Sequence, residues 1–125
     1  MHQETPFMRA EADRAFAVLK AGGVAVMPMD VGYSAIGGSY EALQRVFNAK
    51  RRQPTKFNAM IGDNVLAREL YVLPDEGWAA FEAITIDDDL PLGVIGPCRM
   101  DHPILAAMES AALNMSTKDG TLCML

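Results

Sequence analysis

The feature that most constrains the fold is the run Gly22-Gly23-Val24-Ala25-Val26-Met27-Pro28, an apolar stretch opened by two glycines and closed by a proline. Its length and punctuation read as a buried strand rather than further helix. The segment before it reads differently. Thr5-Pro6 offers an N-cap with proline in the first turn, and Ala12, Ala15, Phe16 and Leu19 then recur at helical spacing, which predicts a helix with one buried face. A helix feeding a short buried strand is the opening of an α/β alternation.

The alternation continues downstream. Ser39 caps a second predicted helix, on which Leu43, Val46 and Phe47 share a face and which runs into Lys50-Arg51-Arg52 before Pro54 stops it. Asn58 to Ile61 reads as a second buried strand, and Gly62-Asp63 as the turn and cap of a third helix through Leu66, Leu70 and Tyr71. Trp78, Phe81 and Ile84 mark a further helix, Asp87-Asp88-Asp89 a solvated turn, and Leu92 to Ile95 a strand; Asp101-His102-Pro103 opens a last helix with Ile104, Leu105 and Met108 on one face. Half of the 125 residues are apolar, enough for one sizeable core. The expectation is a single α/β domain over residues 1–125, with a partly parallel sheet covered by helices.

Charge and cysteine content narrow the function. With 11 Lys and Arg against 16 Asp and Glu, the net charge of -5 argues against a surface that coats nucleic acid generally, so any anion site is local. Cys98 and Cys123 are too few for a disulfide framework and lack zinc-site spacing, which fits a reducing compartment. No signal-type apolar segment and no membrane-length apolar run occurs, so the expected location is cytoplasmic, with no membrane partner. The last residues, Thr121-Leu122-Cys123-Met124-Leu125, are apolar where termini are usually polar, which suggests a natural chain that continues.

The densest chemical feature is Lys50-Arg51-Arg52-Gln53-Pro54-Thr55-Lys56. Positive charge at a helix C-terminus, set against the dipole and followed by a solvated loop, is one reading. The other is a polyphosphate or carboxylate clamp, since Arg supplies a planar fork and Lys a point charge. Pro28-Met29-Asp30-Val31-Gly32-Tyr33 directly follows the first strand, where ligands collect in open α/β sheets; alone it is also an ordinary turn. One helix separates the two segments, so they can face one crevice only if a loop returns the chain. His102 reads more readily as a helix cap than as a substrate contact, and Asp87 to Asp89 more readily as a solvated turn than as a metal site.

Residues Gly22 to Tyr33 resemble the YrdC signature, in which a double-glycine helix end and a strand lead into Pro-Thr-Asp/Glu-Thr-x-Tyr-Gly. The following helix and Lys50-x-Arg52-x-x-x-Lys56 are similar to that family's Lys-x-Arg-Pro-x-x-Lys-Pro motif, and Arg99-Met100-Asp101-His102-Pro103 to its later Arg-x-Pro-x-His-Pro segment. The resemblance implies a YrdC/RibB-like open twisted mixed sheet flanked by helices, incomplete at the C-terminus. It also implies a threonylcarbamoyl-AMP synthase-like nucleotidyltransferase that condenses L-threonine, bicarbonate and ATP, with release of pyrophosphate, for tRNA modification. ATP with Mg²⁺ would be a substrate complex, with no tightly bound prosthetic group or resident metal. Lys50, Arg52 and Lys56 would bind the ATP phosphates and the threonine carboxylate, with Lys50 and Arg52 as the catalytic pair, while Asp30 and Tyr33 would line the amino-acid pocket.

Some positions depart from the family pattern. Met29 and Val31 stand where it has hydroxyl residues, Gln53 and Phe57 replace prolines, and the Ser-x-Asn nucleotide motif is absent, Ser116 to Gly120 reading equally as a plain turn. A site built to hydrogen-bond a substrate loses selectivity when those groups go. The alternative is a catalytically degenerate YrdC-like protein that binds double-stranded RNA, tRNA or a nucleotide through the basic segment.

Overall fold

A computed structural model describes residues 3–125 and has the α/β character the alternation predicts: helices interspersed with strands, in two small antiparallel sheets. Contacts divide the chain into two compact units, Met1–Pro54 and Thr55–Leu125. No helix among the described residues is long and apolar enough to cross a membrane.

In the first unit, α1 spans Pro6–Lys20, and the Thr5 hydroxyl accepts the Met8 N–H at 3.1 Å, the expected cap. The expected buried face is not there. Ala15 and Leu19 are only half-buried, no residue of α1 is fully buried, and Phe7 and Phe16 are exposed. The apolar residues spread around about half of the helix, Phe7 and Phe16 pointing to opposite sides at ~100° per residue. The packing of α1 on a two-stranded sheet covers only the strip of Ala15 and Leu19.

After Gly22, at φ +83°, the chain enters β1 (Val24–Met29), which pairs antiparallel with β2 (Gly32–Gly37) in register Val24↔Gly37 to Met29↔Gly32. The strand Val24 to Met27 is therefore present, but it is half of a hairpin and not a buried central strand: Val26 is 69 % exposed. Next, α2 (Tyr40–Ala49) is capped by the Ser39 hydroxyl, which accepts the Ala42 N–H at 3.2 Å, and buries Ala42, Leu43, Val46 and Phe47. Those four positions repeat at three- and four-residue steps, the mark of one helical face.

The second unit contains α3 (Asn64–Leu70), α4 (Asp75–Glu82), a π-helical turn (Ala83–Asp87), β3 (Val94–Pro97), α5 (Pro103–Ala106), α6 (Ser110–Ser116), β4 (Thr117–Lys118) and β5 (Thr121–Met124). Asp63 caps α3, its carboxylate accepting the Leu66 N–H at 2.8 Å. The Arg68 guanidinium lies 4.3 Å from the Trp78 ring centre and pairs with Glu82, fastening α3 to α4. The sheet has the order β3-β5-β4, all antiparallel. The apolar terminal run is thus its central strand, which is why Leu122 is fully buried among Leu70, Tyr71, Phe81, Leu105 and Met124.

Four expectations need correction here. The strand expected at Asn58 to Ile61 is a single parallel bridge, Met60↔Met124, held by Met60 N–H to Cys123 O at 3.0 Å and Leu125 N–H to Met60 O at 2.8 Å. A third bond of the same pattern runs from the Gly62 N–H to Leu125 O at 3.1 Å, and the next residue, Asp63, caps α3, where the pairing ends. That bridge is also the whole of the parallel pairing among the described residues, so the partly parallel sheet is replaced by two antiparallel ones. The strand at Leu92 to Ile95 begins two residues later, and α5 ends before Met108.

Tyr71 is almost completely buried, and its hydroxyl donates to the Val94 carbonyl at 2.7 Å with the Leu122 carbonyl at 3.1 Å. Burial, with smaller contributions from Cys123 and Cys98, pushes its ionisation well above the ordinary tyrosine range. The folded state therefore binds this proton at pH values where the unfolded chain has lost it. Stability from this group is complete below about pH 10 and falls as pH rises beyond that. A tyrosinate absorbance titration is expected to show a component that appears only together with loss of the circular-dichroism signal, and Tyr71→Phe is expected to remove that component.

Candidate functional site

Asp30 and Val31 form the turn of the β1–β2 hairpin, with Tyr33 one residue into β2. Asp30 and Tyr33 are both exposed, Tyr33 by 82 %. From the turn, β2 carries the chain back over about 20 Å at ~3.3 Å per residue. The short link Gly38-Ser39 then leads into α2, which packs on β2 and rises about 15 Å at ~1.5 Å per residue. The start of α2 lies against Gly37, at the open end of the hairpin.

The end of α2 is built as a Schellman cap. Lys50 is the C-cap, Arg51 takes φ +52°, the Arg51 N–H donates to Asn48 O at 3.1 Å and the Arg52 N–H to Phe47 O at 2.8 Å. The contact that commonly joins these same two positions is here a cation on an aromatic ring, with the Arg52 guanidinium 5.1 Å from the centre of Phe47. Lys50 and Arg51 are exposed and Arg52 is half-buried. From the middle of α2, Arg45 pairs with Glu41 at 3.8 Å and donates to the Gly22 carbonyl at 2.5 Å, tying α2 to the glycine turn before β1. The cluster is thus both a helix terminus and a display of cations on a defined frame.

Left-handed backbone at Arg51 is a conformation that glycine takes without steric cost and arginine does not. Arg51→Gly is expected to stabilise the chain by about 1 kcal/mol, read as a higher midpoint in thermal or urea unfolding. An unchanged or lower midpoint would mean that the Arg51 side chain contributes contacts of equal worth.

Asp30, Tyr33, Lys50 and Arg52 all belong to the first unit, whereas Lys56 is an exposed residue of the second. The other residues weighed in the sequence have structural roles. His102 caps α5, its Nδ1 accepting the Ile104 N–H at 3.2 Å while Nε2 lies 3.0 Å from Glu69, so both ring nitrogens are engaged. Asp87 to Asp89 are exposed, and no group of three or more His, Cys, Asp or Glu among the described residues is arranged to hold a metal ion. Asp119-Gly120, with φ +52° and +77°, is the tight turn of the β4–β5 hairpin.

Two residues have roles that the sequence did not assign to them. Arg99 donates to the carbonyls of Glu69 at 2.7 Å and Tyr71 at 3.1 Å, satisfying the C-terminal end of α3. Phe47 supports Arg52; its place five residues before a cation, at the end of an apolar helix face, is the signal that points to it.

The described residues form an α/β protein whose first unit combines a β-hairpin with a helix that ends in a cluster of cations. No family model matches the chain, and no curated protein matches it. Among solved structures it is similar to the crystal structure of a hypothetical protein, smu.1377c, from Streptococcus mutans UA159. The TM-score is 0.74 and the identity 29 %, over 89 % of this chain and 44 % of that one. The chain therefore spans less than half the length of this neighbour.

Proposed function

We propose that the chain is a threonylcarbamoyl-AMP synthase-like nucleotidyltransferase of the YrdC type, with a YrdC/RibB-like sheet arrangement, acting in the cytoplasm on L-threonine, bicarbonate and MgATP to supply tRNA threonylcarbamoyladenosine modification. The observation that supports the reading is that Asp30, Tyr33, Lys50 and Arg52 all lie in the first unit, the two cations at the capped end of the helix that packs on β2. In this reading the threonine amine and bicarbonate give a carbamate with loss of water, and a carbamate oxygen attacks the α-phosphorus of ATP while the bond to pyrophosphate breaks. The work asked of the protein is positioning and charge neutralisation. Lys50 and Arg52 hold the phosphates and the threonine carboxylate, and Asp30 and Tyr33 meet the amino acid. Magnesium enters with ATP as part of the substrate.

The test is pyrophosphate release from ATP, Mg²⁺ and bicarbonate, measured with and without L-threonine. Release that requires threonine is expected; release from the folded chain that ignores threonine contradicts the assignment.

A second reading, a degenerate protein that binds double-stranded RNA or a nucleotide, draws support from the openness of Tyr33 and Val31, since exposed side chains suit a broad surface better than a closed pocket. It requires RNA affinity that falls steeply with salt. A flat salt response removes it.

A further inference from the structure

A Schellman cap commonly closes on an apolar contact between the residue after its left-handed position and the one five places before it. In this chain those two places hold Arg52 and Phe47, so a cation on a ring takes the part of the apolar contact. Both partners are fixed by the helix end. Phe47 is buried on the face of α2 that carries Leu43 and Val46, and the Arg52 backbone is tied to the same residue by its N–H to Phe47 O at 2.8 Å. The guanidinium carbon lies 5.1 Å from the ring centre, inside the ~6 Å reach of a cation–ring attraction. Arg52 is half-buried, whereas Lys50 and Arg51 beside it are exposed.

A ring holds a guanidinium differently from an acidic partner. A carboxylate can take two of its five N–H donors, whereas a ring attracts the charge and uses none of them. The difference matters for binding an anion. A long cationic side chain that moves freely in water must be ordered by the anion it grips, which weakens binding by about two- to tenfold per side chain. Where a buried ring orders it beforehand, that cost falls on folding and not on binding.

We propose that Phe47 is a positioning residue, whose ring sets the Arg52 guanidinium in place for a phosphate or carboxylate before the ligand arrives. This role rests on the synthase-like reading of Arg52 as an anion-binding group. It gives a core phenylalanine that does not touch substrate a share of the affinity. Of the consecutive cations Lys50, Arg51 and Arg52, the half-buried one is the one placed in advance.

In the unliganded chain the Arg52 Nε–H proton is expected to resonate upfield of its free-arginine position, moved by the ring current of Phe47, and to return there in Phe47→Leu. The wild-type measurement stands by itself, so it decides the point even where Phe47→Leu fails to fold. Isothermal titration with MgATP is expected to show binding to Phe47→Leu weaker by about two- to tenfold. Val46→Ala, on the same buried face, is the control, and is expected to lower the unfolding midpoint at unchanged affinity. An Arg52 proton at the free-arginine position would overturn the proposal. So would equal affinities of the wild-type chain and Phe47→Leu, or equal losses in Phe47→Leu and Val46→Ala. Failure of the synthase reading looks different: the proton is shifted upfield, yet the wild-type chain binds no MgATP, and the role of Phe47 falls with that reading.

Discussion

Arg52→Ala is expected to lower threonine-dependent pyrophosphate release by about 10²–10³-fold, the usual cost of removing one preorganised charge-stabilising donor. The same substitution has a smaller structural effect. The Arg52 N–H that closes the Schellman cap is backbone and survives, and the guanidinium contact with Phe47 is worth about 0.5–1 kcal/mol at a partly exposed site. Unfolding of the variant is thus expected to shift by about 1 kcal/mol or less, well under the ~3–4 kcal/mol equivalent of the activity loss. Arg52→Lys keeps the charge but loses the planar fork, and is expected to fall between the two. Equal losses of stability and activity in Arg52→Ala would reduce Arg52 to a helix-end residue.

Leu122→Ala is expected to cost about 2–5 kcal/mol, the range for deleting a fully buried leucine side chain from a packed core. Leu122 has no solvent exposure, lies on the central strand β5, and belongs to the cluster with Leu70, Tyr71 and Leu105. Against a total of about 5–15 kcal/mol, such a loss brings the chain close to unfolding. Ile95→Ala on β3 is the matched control, since Ile95 is 65 % exposed and its truncation should stay near 0.5 kcal/mol. Urea midpoints of the two variants are expected to differ widely. Coincident midpoints would contradict the assignment of Leu122 to the centre of the core.

Helix starts were the most legible part of the sequence. Thr5, Ser39, Asp63 and His102 each cap a helix through a side-chain atom two or three residues from its donor, a local event that spacing reveals. Sheet partners were less legible because pairing joins distant residues. Gly32, Ser34, Gly37 and Gly38 resemble a loop in composition, and this concealed β2, although its alternation sits directly opposite β1. The apolar end of the chain resembled an interrupted element, and its burial depends on β3 and β4 on either side.

The site was legible as residue types and not as shape. Charge density located Lys50 and Arg52, and position after a strand located Asp30 and Tyr33. What spacing could not supply was the pairing of β1 with β2, or the left-handed turn at Arg51 that sends Arg52 back over Phe47. The adverse backbone energy of arginine there is outweighed by the cap it completes, and no propensity rule anticipates that.

The most direct test of the account is a thermal-shift titration of the chain and of Arg52→Ala with MgATP, with and without L-threonine. A ligand that binds only the folded state raises the melting temperature. The account predicts a rise with MgATP, a further rise with threonine, and neither in Arg52→Ala. A folded chain that gives no shift, or a shift that Arg52→Ala reproduces in full, would contradict it.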